Sequence, residues 1–215
     1  MRAWSLDAWQ ALYANARMLG QLLVVGYVLT YIFETDRVSV VILVIVVMMV
    51  ASAWIALRPL AEVRTRQYPI VLLAIGVTGL AILLLVTQLI LELPRWFEPR
   101  FVVPLAGMIF ANAMNTVSLA AERFHAEQKR NGDDLISRRT ALEAALIPQI
   151  NALLAVGLVS LPGMMTGQIL SGVDPLIAVR YQIMVMCMIF STAGLAAVGY
   201  LLMQSRGRRD RRGTD

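Results

Sequence analysis

Six long apolar runs divide this sequence, at Ala14–Phe33, Val38–Leu57, Pro69–Leu91, Phe101–Ala121, Leu146–Leu161 and Leu176–Met203. An α-helix rises 1.5 Å per residue, so about 20 residues cross the hydrocarbon core of a bilayer. The first and fifth runs sit at the short end of that requirement. In lipid every backbone polar group must be satisfied within the protein, which leaves helices and closed barrels. No stretch of about ten residues alternates polar and apolar as a barrel strand must. Composition agrees: 59% of residues are hydrophobic and 15% charged, against about 25% charged in soluble domains. The expected fold is all-α, a polytopic transmembrane helical bundle of about six spans, with residues 1–215 forming one membrane-spanning domain.

The basic residues orient such a bundle. With both ends cytoplasmic, 15 of the 19 Lys and Arg residues fall inside, and only Arg37, Arg95, Arg100 and Arg180 lie outside or at the outer edge. This is the asymmetry of the positive-inside rule. Losing the fifth run would put the arginine-rich tail outside, so the count argues for keeping it. Residues 204–215, with Arg206, Arg208, Arg209, Arg211 and Arg212, read as a basic disordered tail that fixes topology and meets anionic headgroups, not nucleic acid. No secretory signal peptide is expected. Met1–Tyr13, with Trp4, Trp9 and Tyr13, reads as a surface-lying helix leading into the first span. Residues 122–145 form a cytoplasmic loop. Its first part prolongs the fourth helix, Asn131–Asp134 signals a turn, and Ser137–Ala145 restarts as helix. A single Cys, Cys187, and a single His, His125, exclude a disulfide framework within one chain and a His/Cys metal site of the usual kind, unless subunits share ligands.

Several polar groups fall inside the apolar runs. Asn112, Asn115 and Ser118 recur at spacings that keep them near one helix face. They line a translocation path or bind neighbouring helices together; the spacing permits both. Arg17 and Gln21 form an i, i+4 pair at the start of the first run, as a snorkelling arginine or as part of a path. From Gly157 to Pro175 the sequence is dense in glycine and proline. Pro162–Gly163 should break the fifth helix, and Asp174–Pro175 should start the sixth. The stretch between, with Met164, Met165, Gly167, Gln168 and Gly172, is expected to be non-helical. Irregular backbone at membrane depth survives only where protein or a water-filled cavity covers it, and broken helices mark substrate sites in transporters. An outer interfacial loop is the alternative. Met184, Met186 and Met188 spread around their helix, which favours packing over soft-metal binding. Arg180 either pairs with Asp174 or faces an aqueous vestibule. No phosphate loop, GxSxG or HExxH is present, so the chain is not expected to be an enzyme, to hold a metal or to carry a cofactor.

Several blocks resemble the FetB-type iron-export ABC permeases and their plant relatives linked to aluminium tolerance. They are Arg17-x-x-x-Gln21-Leu22 with Val25–Leu29 and Tyr31–Phe33; Pro104–Ile109 with Asn112–Met114; Ala144–Pro148; and Val156–Gly172 with Asp174–Pro175 and Ala178–Ile183, Arg180 and Gln182 among them. Members of that family usually begin with a further membrane helix and carry a longer segment between the fourth and fifth spans, where this sequence has the short Glu127–Ser137. A shorter echo, Glu143–Ala144–Ala145 with Leu161–Pro162, matches the spacing of the importer EAA loop, with Gln149 at the glycine position.

The resemblance implies a permease subunit in a bacterial inner membrane. It would export iron or another metal species as a homodimer with a separate ABC ATPase subunit that holds ATP and Mg. Arg17, Gln21, Asn112, Asn115, Ser118, Met164, Met165, Gln168, Arg180 and Gln182 would line the substrate path. Pro162, Gly163, Gly167 and Gly172 would form the helix break, and Arg138, Arg139 and Glu143 the contact with the ATPase. A degenerate permease acting as a scaffold or regulator, or an importer-type permease, is the alternative.

Overall fold

The computed structural model describes residues 8–34 and 37–212, and among them no β-strand occurs. Seven α-helices follow in order: α1 (Ala8–Glu34), α2 (Val38–Ala56), α3 (Arg64–Leu84), α4 (Pro99–Asn131), α5 (Asp134–Ala155), α6 (Gly163–Leu170) and α7 (Pro175–Arg212). A 3-10 turn, Arg58–Val63, joins α2 to α3, and α3 continues into a π-helical turn, Leu85–Ile90. The run Val38–Val50 is rich in Val and Ile and would favour a strand in water. In a bilayer a lone strand leaves its backbone unsatisfied, and the helix wins.

Five segments are long and apolar enough to cross a membrane: Leu12–Glu34, Val38–Ala56, Arg58–Ile90, Pro99–Arg130 and Pro175–Gln204. These agree with five of the six expected runs. The fifth run differs most. It belongs to a helix that starts at Asp134 and carries Arg138, Arg139 and Glu143 in its first half. One continuous α5 therefore replaces the expected short loop helix and separate span.

The turn between α4 and α5 is built as its residues suggest. Gly132 ends α4 at φ 69°, and its N–H donates to the Gln128 carbonyl at 3.1 Å. Asp133 Oδ1 then accepts from Leu135 N at 2.8 Å and Ile136 N at 2.9 Å, capping α5. Just before the turn, Glu127 is buried and pairs with Arg123 at 2.9 Å and Arg130 at 2.8 Å.

α4 and α7 form the centre of the bundle, with α2, α3 and α5 against them. Small residues let the helices approach. Ala106, Ala113 and Ala120 on α4, and Ala193, Ala196 and Ala197 on α7, are fully buried. Gly79 of α3 sits so close to α4 that a Cβ there would lie 2.6 Å from Phe110 Cε1. α1 is different. It meets the bundle through Leu29, Ile32 and Phe33 near its C-terminal end, while Trp9, Leu12, Leu19, Leu22 and Tyr27 are exposed.

At the chain ends, residues 8–13 are the first turns of α1, continuous with the span, and residues 1–7 of the expected surface helix lie outside the described residues. α7 runs to Arg212, so the tail expected to be disordered is helical through that residue; residues 213–215 lie outside the described set.

Candidate translocation site

Two features stand out, an amide cluster between α4 and α5 and a broken segment between α5 and α7. The cluster begins with Asn112. Its Nδ2 donates to the Met108 carbonyl at 2.8 Å, and its own carbonyl accepts from Thr116 Oγ1 at 3.0 Å. Gln149 of α5 reaches across, its Nε2 lying 3.3 Å from Thr116 Oγ1 and 3.5 Å from Asn112 Oδ1. Both cross-helix contacts are at the long end of hydrogen-bond geometry and are weak. Gln149 follows Pro148, which has no N–H and frees the carbonyl one turn earlier. The polar stripe read from the sequence is thus divided. Asn112 joins the cluster, Asn115 is exposed, and Ser118 is half-buried. Thr116 and Gln149 complete the cluster; the sequence pattern does not mark Thr116, and it names Gln149 only at the glycine position of the EAA-like echo, while the i, i+4 spacing of Asn112 and Thr116 is the available signal.

The cluster also fixes the register of α5 on α4. The two helices run antiparallel, and α5 has six residues left beyond Gln149 before it ends at Ala155. It therefore stops roughly 10–15 Å short of the level where α4 begins. The break is made by glycine, not by Pro162. Val156 is extended, Gly157 has φ 80°, and the N–H groups of Val159 and Ser160 both turn back to the Ala155 carbonyl at 2.8 and 3.2 Å. Pro162 instead takes the N-cap position of α6, with Gly163 as its first residue. The stretch expected to be non-helical is helical over Gly163–Leu170, including Met164, Met165, Gly167 and Gln168. A positive φ of 89° at Gly172 makes the second turn. Asp174 then caps α7, its Oδ1 accepting from Leu176 N at 2.9 Å and Ile177 N at 3.3 Å.

A cavity of about 390 Å³ opens between the end of α5, α6 and the first half of α7, with Leu161, Met165, Gln182, Met186 and Cys187 in its wall. Gln182 is 6% exposed. Its Oε1 and that of Gln168 are buried without a hydrogen-bond partner among the described residues. Met164 packs on the core instead. Arg180 lines a second cavity of about 450 Å³, with Tyr181 and Met184 of α7 and Ile90 and Leu91 after α3. No ion pair joins Arg180 to Asp174 among the described residues; Asp174 Oδ1 caps α7 instead. Arg17 and Gln21 are exposed on α1 and do not join either feature. Among the described residues no three His, Cys, Asp or Glu side chains converge.

At the α4–α5 corner the three residues expected to meet an ATPase separate. Arg138 is turned onto Asp134, one turn earlier. Arg139 and Glu143 form a 2.9 Å pair that is exposed. The hydrogen bond that Arg139 Nε donates to Glu143 Oε1, together with the Glu143 charge, holds the Arg139 guanidinium above its ordinary range. Leu161–Pro162 lies beyond the far end of α5 from Glu143, beside Val179 and Ile183 of α7, so the two pieces of the EAA-like echo do not share one loop.

Comparison with known proteins agrees with the sequence resemblance. The profile of "Uncharacterised protein family (UPF0014)" matches residues 5–138 and 136–207. The "Probable iron export permease protein FetB" of Escherichia coli is 37% identical over 205 residues, covering 87% of this chain and 76% of that protein. A "UPF0014 membrane protein" of Synechocystis is 36% identical over 204 residues, 88% of this chain and 79% of that protein. "Protein ALUMINUM SENSITIVE 3" of Arabidopsis thaliana is 29% identical, over 88% of this chain and 73% of its own. No solved structure matches. With its long apolar helices and these matches along its length, the chain belongs to the UPF0014 family of multi-pass membrane proteins and is a homologue of the FetB permease.

Proposed function

We propose that this chain is the membrane permease subunit of an ABC-type exporter, moving iron or another metal species out across a bacterial inner membrane. The observation that carries the reading is the 37% identity to FetB over 87% of the chain. The amide cluster supplies a means. Gln149, Asn112 and Thr116 offer amide and hydroxyl oxygens to a hydrated or complexed cation at membrane depth. Their cross-helix contacts of 3.3 and 3.5 Å are weak enough to exchange for a substrate.

Both chain ends and the 122–145 segment face the cytoplasm in this reading. Two copies pair, and a separate nucleotide-binding subunit binds ATP and Mg and docks on the exposed Arg139 and Glu143. Closure of that subunit pushes on α5, whose far end abuts the broken α6 segment, so one helix links the nucleotide step to the outer cavity. The test uses inverted membrane vesicles holding this chain with a separate ABC ATPase subunit from the same organism. ATP-dependent accumulation of iron in the vesicle lumen is expected. Accumulation that is the same without the chain, together with failure of the two proteins to co-purify, would overturn the reading.

A further inference from the structure

The cavity between α5, α6 and α7 has a wall of unusual chemistry. Apart from aliphatic side chains it presents Met165 from α6, Met186 and Cys187 from α7, and the amide of Gln182. The other methionines near the break turn elsewhere: Met164 onto the core, Met184 into the cavity with Arg180, and Met188 into the buried interior. The i, i+2 scatter of Met along α7 thus leaves Met186 alone among them on this wall, where α6 supplies a second thioether. Cys187 is exposed, at the rim. The cavity extends from Val179, about one turn into α7, to Cys187, roughly 12 Å deeper.

We propose that this cavity binds a soft monovalent metal ion, Cu(I) or Ag(I), through the sulfur atoms of Met165, Met186 and Cys187.

Charge and softness both select this class. Thioethers are neutral and bind soft ions, not hard ones. Cys187 is the one acid in the wall. On binding, its S–H bond breaks, the thiolate bonds to the ion, and a proton leaves to solvent. No change of oxidation state is required. A thiolate with a monovalent cation leaves no net charge at a depth where a buried charge is costly. A divalent or trivalent ion would leave at least one uncompensated positive charge against aliphatic walls. Gln182, 6% exposed, is the one amide residue in the wall, and its Oε1 is buried without a hydrogen-bond partner among the described residues. The inference goes beyond the transport reading and does not depend on it: the ion is bound whether or not it is carried.

The test measures Ag(I) binding to the full-length chain in lipid nanodiscs, with a thiol competitor of known affinity. One Ag(I) per chain is expected, with sulfur as the nearest scatterer by X-ray absorption. Cys187→Ser should weaken binding at least about 30-fold. Met165→Leu and Met186→Leu, which conserve volume, should each weaken it about tenfold. Met18→Leu, on exposed α1, should leave it unchanged. Fe(II) and Zn(II) should not displace Ag(I). Absence of binding would overturn the proposal, as would binding that survives Cys187→Ser. A loss on Cys187→Ser that neither Met→Leu variant reproduces would also overturn it, since that is the behaviour of a lone thiol. Unchanged helicity and melting in each variant show that a loss is not one of folding.

Discussion

Gln149 Nε2 of α5 lies 3.3 Å from Thr116 Oγ1 of α4, joining residues 33 positions apart across two helices. Each partner has another hydrogen bond without it. Thr116 Oγ1 donates to the Asn112 carbonyl, and Asn112 Nδ2 donates to the Met108 carbonyl. Gln149→Leu therefore strands no buried donor and should cost about 1 kcal/mol or less of stability. If the cluster carries substrate, the same change should lower iron export at least tenfold. Thermal unfolding in detergent and export from cells measured side by side separate the two effects. Equal loss in both would make the cluster an ordinary helix contact.

Asn115 provides the contrast. It is exposed, away from the cluster, so Asn115→Leu should change unfolding by less than about 0.5 kcal/mol. Export should remain within about twofold of the parent chain. A large export defect would place a partner surface, such as the second copy, against that face of α4.

This pair shows what could be read from the residues alone. Apolar runs and glycine or aspartate punctuation located most helices, because in lipid hydrophobic length and backbone satisfaction allow few alternatives. The turn at Gly132–Asp133 and the cap at Asp174 were legible for the same reason, since both rest on local geometry. The fifth run was legible only in its apolar second half, and its bounds were not. Charges in the first half of α5 hide that it is continuous with the apolar second half, and Gly157 ends the helix before Pro162 can. Nor was the site: Asn112, Asn115 and Ser118 look alike in a one-dimensional pattern. Only the position of Gln149, set by the packing of α5 on α4, decides which of them is covered. Likewise, Met165 and Met186 come together through the short α6, which the glycine and proline content had concealed.

Close packing of α3 on α4 gives a third prediction. A Cβ on Gly79 would lie 2.6 Å from Phe110 Cε1 and 3.1 Å from Ile109 Cγ2. Phe110 is 1% exposed, so its ring has nowhere to swing. Gly79→Ala should destabilise the bundle by about 1–3 kcal/mol. Phe110→Leu in the same chain should recover part of that loss, a coupling that a double-mutant cycle of melting temperatures would show. Additive losses would mean that the ring is not the obstacle.

The exposed Arg139–Glu143 pair and the buried side of Arg138 predict different phenotypes. Arg139→Glu should leave folding intact, because both partners face solvent. It should nevertheless reduce stimulation of the partner ATPase several-fold if this face of α5 is the docking surface. Restoring the charges in Arg139→Glu/Glu143→Arg should recover part of it. Arg138→Ala should instead act on the corner itself, since its guanidinium is engaged with Asp134 and partly covered. Limited proteolysis near residues 131–135 and ATPase assays on the purified complex would distinguish the two.

The last prediction concerns how often the chain crosses the bilayer. α5 lacks the apolar length of the five candidate spans, and it ends short of the level at which α4 starts. Crossing is completed only if the turn at residues 156–162 and α6 carry the chain to the opposite surface before α7 begins. Turn and helix are built for that: Gly157 redirects the backbone, α6 satisfies most of its own hydrogen bonds, and Asp174 restarts the chain as α7. Single cysteines in a Cys187→Ser background should report this directly. Gly132→Cys and Gly207→Cys should label from the same side, and Ser160→Cys from the other. With Gly132 and Gly207 on opposite sides, α5 would fail to cross, the arginines after residue 205 would face outward, and the link from the α4–α5 corner to the cavity would not hold.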